Sequence, residues 1–152
     1  MFTIDIDERD LYIALRSFIL SVLPDVEVVQ GLNNGVPMPA QGFISMTTLS
    51  RRALSTNHHD YNQDEYSISR QLEYAVQLDC YGQQSSDWVG LIGTLLADDY
   101  ACAAFPANIQ PLYCDDAKQL ALVNAEQQYE QRWALVLYLQ FNQTVSRPND
   151  NH

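Results

Sequence analysis

The sequence predicts an α+β domain with a mainly antiparallel β-sheet and two amphipathic helices packed on it. Residues 71–81 alternate between apolar and polar side chains, and residues 128–142 place five large apolar side chains on one face of an extended strand. Apolar residues also recur at helical spacing in residues 7–23 and 86–98. Helices and strands in this mixed order are typical of α+β proteins.

The first helix is predicted between Asp7 and Pro24. Asp7 is a good N-cap, and Glu8 and Asp10 follow it in the first turn, where the helix dipole favours acidic side chains. Pro24 ends the pattern, because proline cannot continue a helix. The apolar stripe of this helix consists of Leu11, Leu15, Phe18, Ile19 and Val22.

Two short strands and two loops are predicted next. Residues 26–30 and 43–49 have strand character, and the stretch 31–42 between them is rich in turn-forming glycine, asparagine and proline. The stretch 55–65 is polar and has no period, which predicts a long projecting loop or the mobile tip of a hairpin. In the second of these strands, the side chains expected to be buried are Phe43, Ile44 and Met46.

The alternation in residues 71–81 predicts a half-buried antiparallel strand, which Gly82 closes. Its apolar face consists of Leu72, Tyr74, Val76, Leu78 and Cys80. Its polar face carries Gln71, Glu73, Gln77 and Asp79.

Ser86 is predicted to cap a second helix, with Asp87 in its first turn and an end near residues 98–99. Short extended pieces follow at 109–113 and 120–123. The apolar stripe of this helix consists of Trp88, Val89, Ile92, Leu95 and Leu96.

The last strand, residues 128–142, is apolar on both faces in its middle, so it needs a sheet beside it and a layer over it. Its second face carries Ala134, Val136 and Tyr138 before it turns polar at Gln140. Its first face, predicted to join the core, consists of Trp133, Leu135, Leu137, Leu139 and Phe141.

The chain has 152 residues, of which 47% are hydrophobic, which is enough for one domain with a real core. We predict a single domain at residues 1–145 and a flexible C-terminal tail at residues 146–152. The net charge of −11 disfavours nucleic-acid binding and anionic membrane surfaces, because both carry negative charge.

Neither a secretory signal nor a membrane span is predicted. The start of the chain lacks a positive region followed by an apolar run, and no window approaches the ~20 apolar residues that a spanning helix needs. The three cysteines are an odd number without a C-x-x-C pair, which predicts reduced core thiols at Cys80, Cys102 and Cys114.

His58, His59 and Asp60 form the sharpest catalytic-looking cluster in the sequence. Imidazole and carboxylate can bind zinc. However, adjacent histidines point in divergent directions, and H-E-x-x-H spacing is absent. Cys80 lies on an apolar strand face, where a thiol is normally inert packing. We therefore expect no catalytic residue, no metal site and no cofactor.

The polar faces of the two long strands have two open interpretations. Glutamine, asparagine and charged side chains suit a subunit interface that is specific without being strongly apolar. The same composition also suits a solvated outer sheet face.

The order of these elements resembles that of a known family. The features that carry the resemblance are the helix ending at Pro24, the strand 26–30 with its loop ending at residues 37–39, the strand 43–47, the strand 71–82, and the helix opening at 86–88 that leads to a terminal strand beginning near Arg132. Over roughly residues 8–143, the chain is similar to the neck or tail-terminator proteins of long-tailed bacteriophages.

The resemblance implies an α/β sandwich with structural work in the virion, at the tail–neck junction. Such proteins close the head-proximal end of the tail tube as a ring, commonly of six subunits, and stop tube polymerisation. The expected partners are other copies of the chain, the tail tube protein, the head-side connector, and the sheath protein in a contractile tail. Synthesis and assembly are expected in the host cytoplasm, and the family has neither catalytic residues nor cofactors.

DNA is expected only to pass through the lumen of such a ring. If acidic side chains line the lumen, DNA would meet repulsion instead of adhesion; a neutral or basic lumen in an assembled ring would contradict this hypothesis. The candidate subunit interface consists of Arg132, Tyr138, Gln140, Glu73 and Gln77 on the two long strands, with His58, His59 and Tyr61 in the stretch 55–65.

Two alternatives remain open at the level of sequence. The chain could be another virion connector, such as a head-completion or minor tail protein. It could instead be a small cytoplasmic enzyme or ligand-binding domain that uses the polar stretch 55–65. An enzyme predicts a concave pocket with convergent polar groups, whereas a ring protein predicts two surfaces that match neighbouring subunits.

Overall fold

The computed structural model describes residues 1–31, 42–123 and 129–149, with the backbone alone for residues 121–123 and 129–130. This part of the chain forms three helices and eight strands. The helices are α1 (Glu8–Val22), α2 (Ser85–Leu96) and α3 (Asp99–Ala104). The strands are β1 (Thr3–Ile4), β2 (Glu27–Gln30), β3 (Phe43–Ala53), β4 (His58–Tyr61), β5 (Glu65–Tyr81), β6 (Ile109–Cys114), β7 (Lys118–Val123) and β8 (Tyr129–Pro148).

The eight described strands belong to one sheet with β5 and β8 at its centre. The strand order is β1-β8-β5-β3-β2, with β4 also paired with β5, and β6 and β7 also paired with β8. β2 and β3 are parallel, and all other described pairs are antiparallel. The predicted class, α+β with a mainly antiparallel sheet and helices packed on it, is confirmed.

β5 and β8 are longer than the strands predicted at 71–81 and 128–142. They pair without a register shift from Glu65 opposite Pro148 to Tyr81 opposite Arg132. The half of this ladder near Tyr81 consists of residues 72–81 of β5 and 132–141 of β8. It belongs to the main part of the domain, which we call the body. The other half forms the arm, which we define as β1, β4, residues 65–71 of β5 and residues 142–148 of β8.

One face of the body sheet forms the core with all three described helices. We call it the inner face and the opposite one the outer face. As predicted, the apolar positions of β5 and β8 lie on the inner face, and Trp133 packs against it at the margin. The buried inner-face residues of these two strands are Leu72, Tyr74, Val76, Leu78, Cys80, Leu135, Leu137, Leu139 and Phe141.

Helix α1 begins and ends where the sequence predicts. The backbone N–H of Asp10 donates to the Asp7 side chain at 3.1 Å, and the backbone N–H of Asp7 donates to the Asp10 side chain at 2.9 Å. This reciprocal capping box satisfies two N–H groups that the helix itself cannot satisfy. The buried face of α1 consists of Leu11, Tyr12, Leu15, Phe18 and Ile19.

Helix α2 begins two residues earlier than predicted, and the predicted N-cap at Ser86 was wrong. Gly82 has φ +114°, and the turn there brings the N–H of Ser85 to the carbonyl of Gly82 at 3.1 Å. The helix then starts without a side-chain cap, since the N-cap residue Gln84 makes no side-chain bond. The predicted stripe is confirmed, with Val89, Ile92 and Leu96 buried and Trp88 and Leu95 packed against the core.

The short helix α3 was not predicted. The backbone N–H of Tyr100 donates to Asp98 at 3.1 Å, so Asp98 caps α3 instead of ending α2 in solvent. Ala101 of α3 and the following Phe105 are buried in the core, and Phe105 packs on Phe18 of α1. None of the described helices is both long and apolar enough to cross a membrane.

The stretch 55–65 contains strand β4, which pairs with β5 in a hairpin. The predicted hairpin is therefore confirmed, and the alternative of a long projecting loop was wrong. His58 lies opposite Ser69 and Tyr61 opposite Tyr66. At the turn, the side-chain oxygen of Asn62 accepts backbone N–H groups of the next residues, including Asp64 at 2.9 Å. The turn and the ladder together give the polar stretch a regular structure that its composition does not reveal.

The two ends of the chain pair with each other in the arm. Thr3 lies opposite Ser146, which in turn lies opposite Ser67. The strand therefore continues three residues past the predicted domain end at 145, while residues 150–152 lie outside the described part. The predicted loop at 31–42 lies mostly outside it as well. Burial in β3 is confirmed for Phe43, Ile44 and Met46.

We predict that burial on α1 determines the cost of shortening its side chains. Leu15 is fully buried, whereas Ile13 on the same helix is 53% exposed. Leu15→Ala should lower the free energy of unfolding by about 2–5 kcal/mol, because it removes packed atoms and leaves a cavity. Ile13→Ala, the control, should change it by less than about 1 kcal/mol. Urea unfolding followed by circular dichroism measures both, and equal losses would contradict the assigned helix face.

Candidate subunit interface

In the described structure, the helices do not pack on the outer face of the body. Only the side chains of the strands themselves lie on this face. The buried residues of α1, α2 and α3 join the core cluster of the inner face, except for Ser85 at the start of α2. Five residues on the outer face are nevertheless buried within a single chain: Phe43, Ser45, Glu73, Ala75 and Asp79. Two of these are carboxylates, which are rarely buried unless they are paired.

Glu73 is paired with an arginine from the neighbouring strand. The register places Arg52 of β3 opposite Glu73 of β5. The Arg52 Nε donates to one carboxylate oxygen at 2.9 Å, and its Nη2 donates to the other at 3.3 Å. This hydrogen bond raises the pKa of Arg52, although its side chain remains 66% exposed. The arginine therefore covers the carboxylate and presents its own outer surface to solvent.

Asp79 holds a second ion pair at the other end of the same face. The Nε and Nη2 of Arg132 donate to one oxygen of Asp79 at 3.0 and 2.8 Å. The amide of Gln77 donates to the same carboxylate at 3.0 and 3.1 Å. The guanidinium also lies over the ring of Tyr81 at 5.4 Å, and Tyr81 stacks on Phe43 at 4.5 Å. The ion pair with Asp79 and the cation–π contact with Tyr81 therefore both hold the Arg132 side chain in place.

Tyr138 and Gln140 lie on the outer face of β8 beyond these pairs. The hydroxyl of Tyr138 donates to Asp115 at 3.1 Å, and this bond raises the pKa of Tyr138. Its ring stacks on that of Tyr113 at 4.4 Å. The amide of Gln140 donates to Asn142 at 3.0 Å. The hydrogen bonds and stacking hold these side chains in place before any partner arrives.

The structure divides the predicted interface residues into two groups. Glu73, Gln77, Arg132, Tyr138 and Gln140 lie together on the outer face of the body. The other three, in the arm, are His58, His59 and Tyr61, and alternation along β4 places His58 on one face and the other two on the opposite face. That these residues contact a neighbouring subunit stays a prediction.

The histidines of the arm do not converge. The Nδ1 of His59 lies 2.8 Å from the hydroxyl of Tyr66, and Tyr61 stacks on the same tyrosine at 4.3 Å. His58 lies on the other face, beside Ser69. Within the described ranges, histidine, cysteine, aspartate and glutamate do not form any group of three or more that could hold a metal ion.

Sequence analysis missed three residues that organise the outer face. Arg52 lies beyond the predicted end of its strand, and a register shift between Thr48 and Ser50 decides which side chains of that segment face outward. Asp115 lies just beyond the short extended piece predicted at 109–113, and Tyr113 is the last residue of that piece. The exposed tyrosine in a short strand was the available signal, but its partner Tyr138 is 25 positions away along the chain.

The cysteines differ from the prediction at one position. Cys80 is buried, and burial raises the pKa of its thiol to about 12. Cys114 is half-buried, and burial also raises its pKa. Cys102 is exposed on α3, so its assignment as a core thiol was wrong. The helix that carries it was itself not predicted, and its buried position is Ala101 instead.

A family model described as phage neck terminator protein matches residues 9–151. The chain belongs to this family. It is therefore a structural protein of the phage tail and neck and a component of the virion, and the family associates with other phage tail and head proteins. The family is structural and not enzymatic.

A search of curated proteins gave no match. Among the solved structures that match, one aligns over 90% of this chain and 96% of its own length, at 11% identity and a TM-score of 0.41. At that level of similarity, it carries no argument about function.

We predict that the Asp79–Arg132 pair stabilises the fold mainly by avoiding an unpaired buried carboxylate. Arg132→Ala should lower the free energy of unfolding by about 2–3 kcal/mol, because Asp79 would lose the cation that offsets its burial. The double variant Arg132→Ala/Asp79→Ala should recover part of this loss, since the buried charge is then gone as well. A double variant that is less stable than Arg132→Ala, measured by urea unfolding at neutral pH, would argue against this account.

We predict that the three thiols react at different rates in the folded protein. At pH 8, Ellman's reagent should modify exposed Cys102 first and Cys80 last, because the raised pKa keeps the buried thiol protonated. The stability that neutral Cys80 contributes is fully present below pH 9.0 and is lost as the pH rises to about 12. Cys102→Ser should remove the fast phase, and urea should expose the remaining thiols. Fast modification of Cys80 at pH 8 would contradict its burial.

Proposed function

We propose that this chain forms a ring at the head-proximal end of the phage tail tube. There it ends tube polymerisation and joins the tail to the head-side connector. Its partners are other copies of itself, the tail tube protein and the connector, with the sheath protein added in a contractile tail. The family has a structural role in the tail and neck, and the proposal specifies the position and the action of this chain within that role. The observation that carries it is the pre-arranged outer face of the body.

A closed ring needs two different surfaces on each subunit, because each copy meets one neighbour on either side. The outer face has the chemistry of one such surface. Its half-buried centre includes Ala134 and Val136, and amide and tyrosine side chains surround that centre. An apolar centre with a polar margin is the usual composition of a specific interface.

The two ion pairs make this face suited to burial under a neighbour. An unpaired carboxylate would be costly to cover, whereas Glu73 and Asp79 already have arginine partners within the chain. Gln77 and Gln140 keep further hydrogen-bonding capacity, because each has an amide with several donor and acceptor positions. A neighbour can therefore cover the face without leaving a buried charge unsatisfied.

The proposal is tested by removing the chain and by blocking the outer face. Phage lacking the chain should produce tails without a closed head-proximal end and with tubes of abnormal length, seen by electron microscopy. Val136→Arg places a long cation on the half-buried centre of the face and should prevent incorporation into tails. Thr94→Arg, on the exposed side of α2, is the matched control and should be incorporated normally.

The deletion tests the termination role, and the Val136→Arg variant tests the contact surface. Tubes of normal length in tails lacking the chain would contradict the termination role. Normal incorporation of Val136→Arg would exclude the outer face as the contact surface. Melting temperatures of both variants, measured on the isolated proteins, show whether an assembly defect comes from unfolding.

A further inference from the structure

The arm continues the inner face of the sheet beyond the three described helices. Tyr66, Ile68 and Arg70 of β5 have the same alternation as Leu72, which is buried in the core. None of these three arm residues belongs to the core cluster. Large apolar side chains are exposed on the neighbouring strands of the arm and just before β1: Ile4 at 57%, Tyr61 at 68% and Phe2 at 49%. The helices cover this face in the body and leave it open in the arm.

A row of rings and one guanidinium crosses the open face from one edge of the arm to the other. Tyr61 of β4 stacks on Tyr66 of β5 at 4.3 Å. Arg147 of β8 lies over the Tyr66 ring and over the Phe2 ring, at 5.4 Å from each centroid. The four side chains come from four sections of the chain, and their mutual contacts hold them in place without a helix above them.

Charge is segregated between the two faces of the arm. Asp60 lies opposite Ser67, and Glu65 opposite Pro148, so both carboxylates are on the outer face. The charged strand residues described on the inner face are the arginines at 70 and 147. A chain with a net charge of −11 therefore presents here a surface that is apolar and cationic.

The side chain of Arg147 is partly exposed on this surface, and one of its hydrogen-bond donors is unused within the described chain. Its Nε is buried and has no hydrogen-bond partner among the described residues. A docking partner cannot reach this buried nitrogen, but the acceptor that best matches the partly exposed guanidinium as a whole is a carboxylate. The face is therefore complementary to a surface that offers carboxylates beside exposed apolar groups.

We propose that the inner face of the arm docks on the acidic surface of a second copy of this chain, next to it in the ring. The inference rests on the proposed function, because the ring places a second copy beside every arm. Charge complementarity favours this occupant, since a copy carries 19 acidic residues against 8 basic ones. Carboxylates and exposed apolar groups also occur together on it: Asp98 and Asp99 precede Tyr100, which is 51% exposed.

The test places a photo-crosslinking residue on each face of the arm in the full-length chain. Tyr61→p-benzoylphenylalanine probes the inner face, and Asp60→p-benzoylphenylalanine is the matched control on the outer face. Two differently tagged copies are expressed together during infection, and purified tails are irradiated. Position 61 should give a crosslink that carries both tags, with several-fold lower yield from position 60.

The outcomes separate this inference from the proposed function. A crosslink from position 61 to the tail tube protein or to a head-side protein would overturn the inference and leave the ring proposal standing. Tails that contain the chain but give no crosslink between copies would overturn the inference as well. Absence of the unmodified chain from purified tails would overturn the proposed function itself.

A second measurement addresses the charge of Arg147. Arg147→Glu should weaken association between copies by on the order of tenfold or more, because two negative surfaces would then meet. Arg147→Lys keeps the charge and should retain most of the association. Association is measured by analytical ultracentrifugation over a concentration series or, where copies associate only on the tube, by the fraction incorporated into tails. Equal association of the two variants would overturn the proposed charge contact.

Discussion

The antiparallel ladder between β5 and β8 is the constraint on which the rest of the structure depends. It continues without a register shift from Glu65–Pro148 to Tyr81–Arg132. β3 and β4 pair with one side of it, and β1, β6 and β7 pair with the other. Because a slip of one residue would exchange the faces of a strand, this single register places the apolar rows under the helices and the ion pairs on the outer face.

The sequence predicted the parts of the fold that have a strong local period. Helix α1 has its cap, stripe and proline within one short stretch, and residues 71–81 alternate between apolar and polar side chains except at Ala75. The arm could not be predicted in the same way. His58–Tyr61 and Ser146–Pro148 become strands through pairing with β5, and that partner is not visible in their own composition. Helix α3 has only six residues, which is too short for a period.

The residue types on the candidate interface could be predicted from the sequence, but their spatial arrangement could not. Alternation alone places Glu73 and Asp79 on the outer face of their strand. Their burial depends on Arg52 and Arg132, which come from two other strands and reach them only through the sheet register. For the same reason, three predicted interface residues are found in the arm, away from the five on the body.

The ion pairs of the outer face also determine where the negative charge of the chain lies. Since Glu73 and Asp79 are each neutralised by an arginine, the net charge of −11 comes from the helices, turns, edges and termini. An acidic surface that approaches the outer face therefore meets less repulsion than one that approaches the helices. The effect acts over about 8 Å at physiological salt. The charge distribution of the chain thus influences the orientation in which another acidic protein approaches it.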